Sequence, residues 1–119
     1  MSPTQRLKRR ADFLQVAGLG RKAPMPGLVL QALPRGDGAP ARLGFTVTRK
    51  VGNAVVRNRC KRRLREAARI TLPLYGRAGC DYVFVARGGT ARREWLALVD
   101  DMKSALLRLA AEIDGARAS

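Results

Sequence analysis

The sequence predicts a small two-layer α+β sandwich in the order αβ(β)βαβα, and three observations carry that prediction. Val56, Cys60, Leu64, Ala67, Ala68 and Thr71 recur at helical spacing, and so do Trp95, Val99, Met102, Leu106, Leu109, Ala110 and Ile113. Around these two stripes lie short runs rich in β-branched and aromatic residues, LVLQAL, LGFTVT and YVFVAR, bounded by glycine and proline. At 119 residues the chain suits one domain over 1–119, with a core spanning about 6–113, large enough to need no disulfide or metal staple.

The elements follow in order. A first helix is expected over about 9–17, where Phe13, Val16 and Ala17 share a face and Gly18 and Gly20 end it. Residues 18–27, with Pro24 and Pro26, read as a loop. Strands are expected over Leu28–Leu33 and Leu43–Thr48, joined by PRGDGAPA, whose glycine and proline content suits a hairpin. In the second strand Leu43, Phe45 and Val47 point one way and Gly44, Thr46 and Thr48 the other, giving an apolar sheet face and a polar one. A basic helix follows, broken by Pro73 and Gly76, then a strand over Tyr82–Arg87 and a closing helix over 91–113. Arg92, Arg93, Glu94, Asp100 and Asp101 lie off the apolar stripe of that last helix and read as a solvated face.

Charge narrows the function. The chain carries 24 Lys and Arg against 9 Asp and Glu, a formal charge of +15, far beyond what solubility requires. Nine of the 24 basic residues fall between Arg49 and Arg69 with Glu66 as the only acid, and they sit on a helix rather than a disordered tail. Residues 92–114 hold four basic residues against five acids, so the excess forms a binding face. The partner this implies is a nucleic acid, with an anionic membrane surface as the weaker alternative. No stretch reaches the roughly 18 to 20 apolar residues of a membrane span, and the N-terminus lacks the apolar segment of a signal peptide.

Intrinsic catalysis is not expected. The absence of histidine excludes His-based acid/base or zinc chemistry, and none of the nine acids forms a compact metal-binding motif. Glu66 lies within reach of Arg62 and Arg69, where ion pairing accounts for it. Cys60 and Cys80 form neither a CxxC pair nor a disulfide framework and read as small core residues in a reducing cytoplasm. The basic helix carries more chemistry. Arg57, Lys61 and Arg65 lie one turn apart in a row, with Asn58, Arg62 and Arg69 in the next, so guanidinium groups face a polyanion over about three turns. Planar guanidinium groups bind phosphate bidentately and stack on bases, which suits structured RNA.

The run RLGFTVTRKVGNAVVRNRCKRRLREAAR resembles the signature of the protein subunit of bacterial ribonuclease P, centred on its RNR motif at Arg57, Asn58 and Arg59. RLKRRADFLQV resembles that family's opening helix and DYVFVAR the strand after its basic helix, so the likeness covers about residues 6–110. It implies a left-handed βαβ crossover, contrary to the usual hand. It also implies a catalytic RNA that binds Mg2+ and removes the 5′ leader of precursor tRNA, with one protein per RNA. By position, Arg57, Asn58, Arg59, Lys61, Arg62 and Arg65 would meet the catalytic RNA, and Phe13, Gln31, Thr46, Thr48 and Lys50 would line the path of the single-stranded leader. The chain departs from the family at Ala17 and Gln31, where further aromatics are common, which leaves Phe13 to stack and shifts weight to charge. A ribosomal or general RNA-chaperone protein is the competing function, and a helix-turn-helix DNA reader is disfavoured by strands on both sides of the basic helix.

Overall fold

The computed structural model describes residues 4–118. Eight strands and α-helices run in the order β1 (Gln5–Arg6), α1 (Arg10–Leu19), β2 (Arg21–Met25), β3 (Leu28–Pro34), β4 (Arg42–Thr46), α2 (Ala54–Tyr75), β5 (Cys80–Ala86) and α3 (Trp95–Ala118). The five strands form one mixed sheet in the order β1-β4-β5-β3-β2. β5 holds the centre because it is apolar on both faces, as a strand covered on two sides must be. Its Tyr82 and Phe84 enter the main core with Leu30 of β3, Leu64 of α2 and Leu98, Met102 and Leu106 of α3. Its Val83 and Val85 face the other way, into a smaller cluster with Leu7, Phe13, Val16 and Leu33 under α1. The α+β class and the crossover between parallel neighbours, β4–α2–β5, are therefore both present.

One expectation about connectivity fails. β3 and β4 do not form a hairpin, because β5 lies between them, antiparallel to β3 and parallel to β4. The intervening residues 35–41 have length enough to step over a strand, since neighbouring strands lie only about 4.8 Å apart. An ion cluster ties the three strands at that end. Asp81 at the start of β5 accepts two hydrogen bonds from Arg42 of β4, at 2.8 and 2.6 Å, and one from Arg35, at 2.6 Å. Arg35 also donates to Asp37, Ala39 O and Pro40 O, shaping the loop that follows β3.

Residues 18–27 are not all loop: α1 runs to Leu19, and Arg21–Met25 pair with β3 as an edge strand. Pro24 fits there because a proline, having no N–H for the ladder, is tolerated at an edge. Pro73 does not break α2, which continues to Tyr75 before Gly76 donates to Leu72 O at 2.8 Å. One missing N–H near the end of a helix is outweighed by the burial of Thr71 and Leu72 beside it. β4 stops at Thr46, two residues short of the expected strand end.

α3 starts at Trp95 rather than at 91, with the Glu94 carboxylate accepting from the N–H groups of Leu96 and Ala97 at 3.1 and 3.0 Å. Those two bonds hold the Glu94 carboxyl below the usual range. Asp101 is not solvated. It is 5% exposed, accepting from Gly27 N–H and from Arg93 Nε, both at 2.9 Å, and so locks α3 to the turn between β2 and β3. Cys60 and Cys80 are both buried, as expected, and burial pushes the Cys60 thiol up from its ordinary value.

Candidate nucleic-acid interface

The polar sheet face is narrower than strand alternation suggests. Central β5 presents Val83 and Val85 to it, and α1 covers part of it, so what remains open is a cleft of about 600 Å3 beside α1. Phe13 forms one wall. Its ring edge packs against Gly44 of β4, which has no side chain: a Cβ there would run into Phe13 Cε1 and Cζ and come within 3.1 Å of Leu7 Cδ1. Gly44→Ala is accordingly expected to lift the Phe13 ring and cost about 1 to 3 kcal/mol, as overpacking does. Denaturant unfolding of the variant checks this, and a stability equal to the parent's would mean that the ring moves freely.

Of the residues expected to line a leader path, Phe13, Gln31 and Thr46 line this cleft. Thr48 and Lys50 do not: Thr48 is exposed just before a single 3-10 turn over Arg49–Val51, and Lys50 is exposed within that turn. The cleft gains Arg10, Leu14, Ala17 and Lys61 instead, and it reaches Phe45 and Val47, which strand alternation assigns to the opposite face. Leu14 is 59% exposed, an open apolar surface on the same helix as Phe13. Its position one residue after Phe13 hid it from the face count, since neighbouring residues on a helix diverge by about a quarter turn.

α2 is capped by Asn53, whose Oδ1 accepts from Val56 N–H at 3.0 Å. Gly52 just before it has φ +155°, where a Cβ would approach Val56 to 2.9 Å. The six residues expected to meet RNA divide three ways. Asn58, Lys61, Arg62 and Arg65 border one open concavity of about 480 Å3 together with Val55, an apolar side chain 76% exposed. Arg57 is half-buried and turns back to donate to Gly52 O at 2.9 Å, holding the turn that enters the helix. Arg59 is exposed further round α2, outside the concavity. Lys61 borders both this concavity and the cleft, so the two meet at its side chain.

Two neighbouring cations do other work. Arg63 is half-buried, donates to Thr90 O at 2.6 Å and to Arg93 O, and lies 5.9 Å from the centre of the Trp95 ring. Arg69 is engaged by Glu66 through Nε and Nη2, and the pairing holds the Glu66 carboxyl below its usual range. Among the described residues no three of Cys, Asp or Glu come together as metal ligands. No helix among them is long and apolar enough to cross a membrane.

The comparisons with known proteins agree with one another. A model of the Ribonuclease P family matches residues 1–110. The chain is 59% identical over 101 residues to the ribonuclease P protein component of Gluconacetobacter diazotrophicus, an alignment covering 85% of this chain and 87% of that one. Among solved structures, it is similar to the RNase P protein of Thermotoga maritima with a TM-score of 0.74 and 29% identity, covering 87% of this chain and 96% of the other. It is similar to that of Staphylococcus aureus with a TM-score of 0.73 and 28% identity, covering 88% and 94%. With the family model spanning nearly the whole chain and relatives this close along it, the chain belongs to the ribonuclease P protein family.

Proposed function

We propose that this chain is the RNA-binding protein subunit of ribonuclease P, the endoribonuclease that removes the 5′ leader from precursor tRNA. In this reading Asn58, Lys61, Arg62 and Arg65, with Arg59 on the flank, bind the catalytic RNA, while Phe13, Leu14, Gln31 and Thr46 receive the single-stranded leader. The observation that supports it is the junction at Lys61, where a cleft with an aromatic wall meets a concavity lined by guanidinium groups. Aromatic stacking beside cationic side chains is how single strands are held with little regard for sequence. Arg57 supports the site from behind by fixing its entry turn, and Thr48 and Lys50 would meet the leader only where it leaves the cleft.

Catalysis is assigned to the RNA, together with the Mg2+ that phosphodiester hydrolysis uses. The chain's own acids support that division. Asp12, Asp37, Asp81, Asp101, Asp114, Glu66 and Glu112 are each within salt-bridge distance of an arginine, and Glu94 accepts from the start of α3. Asp100 is exposed, with no such partner among the described residues. One protein per RNA, acting in the cytoplasm, completes the proposal.

Reconstitution with RNase P RNA tests it through leader length. Phe13→Ala should cost about 1 to 3 kcal/mol of affinity per folded molecule for precursor tRNA with a long leader, a loss only weakly dependent on salt. Arg10→Ala should instead lower the salt dependence by about 0.7 in log affinity against log salt. Neither loss should appear with a one-nucleotide leader. Equal losses on both substrates would move these residues to the RNA body and leave the cleft without its leader. Specific cleavage by the protein freed of all RNA would overturn the assignment of catalysis.

A further inference from the structure

A second concavity, of about 470 Å3, opens on the other face of the sheet, between β1, β4 and α2. Leu43, Phe45 and Leu72 give it an apolar floor, and Arg6, Arg65 and Arg69 form its lip. Arg69 is engaged by Glu66, whereas Arg6 and Arg65 have no acidic partner among the described residues. Arg65 also borders the concavity shared by Asn58 and Lys61, so the two hollows are continuous along α2. An apolar floor with an aromatic ring, reached past bare guanidinium groups, is complementary to one chemical object: a nucleobase carried on its phosphate backbone. The base loses water against Phe45 and Leu43, and its flanking phosphates take charge-assisted hydrogen bonds from Arg6 and Arg65.

Resting on the function proposed above, we propose that this hollow receives one unpaired nucleotide of the catalytic RNA, extruded from the strand that binds α2. The leader is assigned to the other cleft, which is lined by α1 and shares only Phe45 with this hollow, whereas β1, Leu43 and α2 line the rest of this one. The hollow would thus fix the register of the RNA along α2, where the guanidinium row alone would let a uniform backbone slide.

Thr4 stands exposed at the mouth, and the chain's own cysteines are buried, so a thiol introduced at Thr4 can be labelled selectively. Thr4→Cys carrying an azidophenacyl group, bound to an RNase P RNA transcript, is expected to crosslink to one unpaired position of that RNA, mapped by primer extension. Asn58→Cys labelled in the same way reports on the basic concavity. Crosslinks from Asn58 with none from Thr4, or crosslinks from Thr4 to the leader of added precursor tRNA alone, overturn the nucleotide site and leave the proposed function standing. Silence from both positions overturns both. In unlabelled protein, Thr4→Trp should weaken binding to the transcript about tenfold, the size of one stacked base. Arg6→Ala, which removes only an exposed side chain, should lower the salt slope by about 0.7. Unchanged affinity and slope in both variants would also overturn the site.

Discussion

Asp81→Ala is expected to destabilise the protein by about 3 to 5 kcal/mol, because it leaves two partly buried guanidinium groups facing each other without their carboxylate. Asp81 is 4% exposed, and Arg35, just past the end of β3, and Arg42 of β4 bind it from either side of β5. Burial alone would push its carboxyl up, but the hydrogen bonds from Arg42 and Arg35 outweigh burial and hold it below the usual range. A carboxyl whose pKa is lower folded than unfolded stabilises the fold above its unfolded value, near 4, and loses that contribution as pH falls through the folded value. The stability difference between the parent and Asp81→Asn should therefore be constant above about pH 5 and shrink below pH 4. Denaturant unfolding at pH 7 and across the acid range measures both quantities. A loss under 1 kcal/mol at pH 7 would mean that the cluster is a surface ornament and that apolar pairing alone orders the strands.

Adjacent arginines of α2 should give opposite phenotypes. Arg63→Ala strands the carbonyls of Thr90 and Arg93 and removes the cation beside Trp95. A hydrogen bond from a charged donor contributes about 1.5 to 3 kcal/mol and a cation over a partly exposed ring about 0.5 to 1, so a loss of roughly 2 to 4 kcal/mol is expected. Arg62→Ala removes an exposed side chain and should leave stability within about 0.5 kcal/mol. Its effect should fall on the RNA instead, as weaker binding to RNase P RNA and a salt slope lower by about 0.7 to 0.9. Thermal melts and filter binding on the pair separate the roles. If Arg62→Ala unfolds the protein, or if Arg63→Ala binds RNA worse while keeping its full stability, the division of α2 into a structural and a binding flank fails.

Both predictions rest on neighbours that spacing does not name. The helical stripe of α2 was legible in the sequence because burial repeats every 3.6 residues, and Cys60, Leu64, Ala67, Ala68 and Thr71 are all buried. The same periodicity places Arg63 beside the stripe but does not say that a loop from β5 to α3 presents two carbonyls there. Spacing puts Asp101 on the solvated face for the same reason: its position at the margin of the α3 stripe says nothing of Gly27, 74 residues away. Strand pairing was the least legible feature. Local turn residues favour a hairpin between β3 and β4, yet the chain gains more by placing the doubly apolar β5 between them, with Asp81 between Arg42 and Arg35.

By itself the sequence determined the α+β class, the two long amphipathic helices, the concentration of positive charge on α2 and the likeness that names the family. All of these follow from short-range periodicity and from motifs contiguous in the chain. Only the tertiary structure decided which cations face outward and which are spent internally: Arg57, Arg63 and Arg69 are held by Gly52, Thr90 and Glu66, while Asn58, Lys61, Arg62 and Arg65 share an open concavity. It also decided that Phe13 and Lys61, 48 residues apart in number, border one cleft. Charge is a property of composition, but its availability depends on the partners a side chain meets after folding: Arg57 and Arg69 find theirs within about a turn of chain, whereas the partner of Arg63 lies 27 residues away.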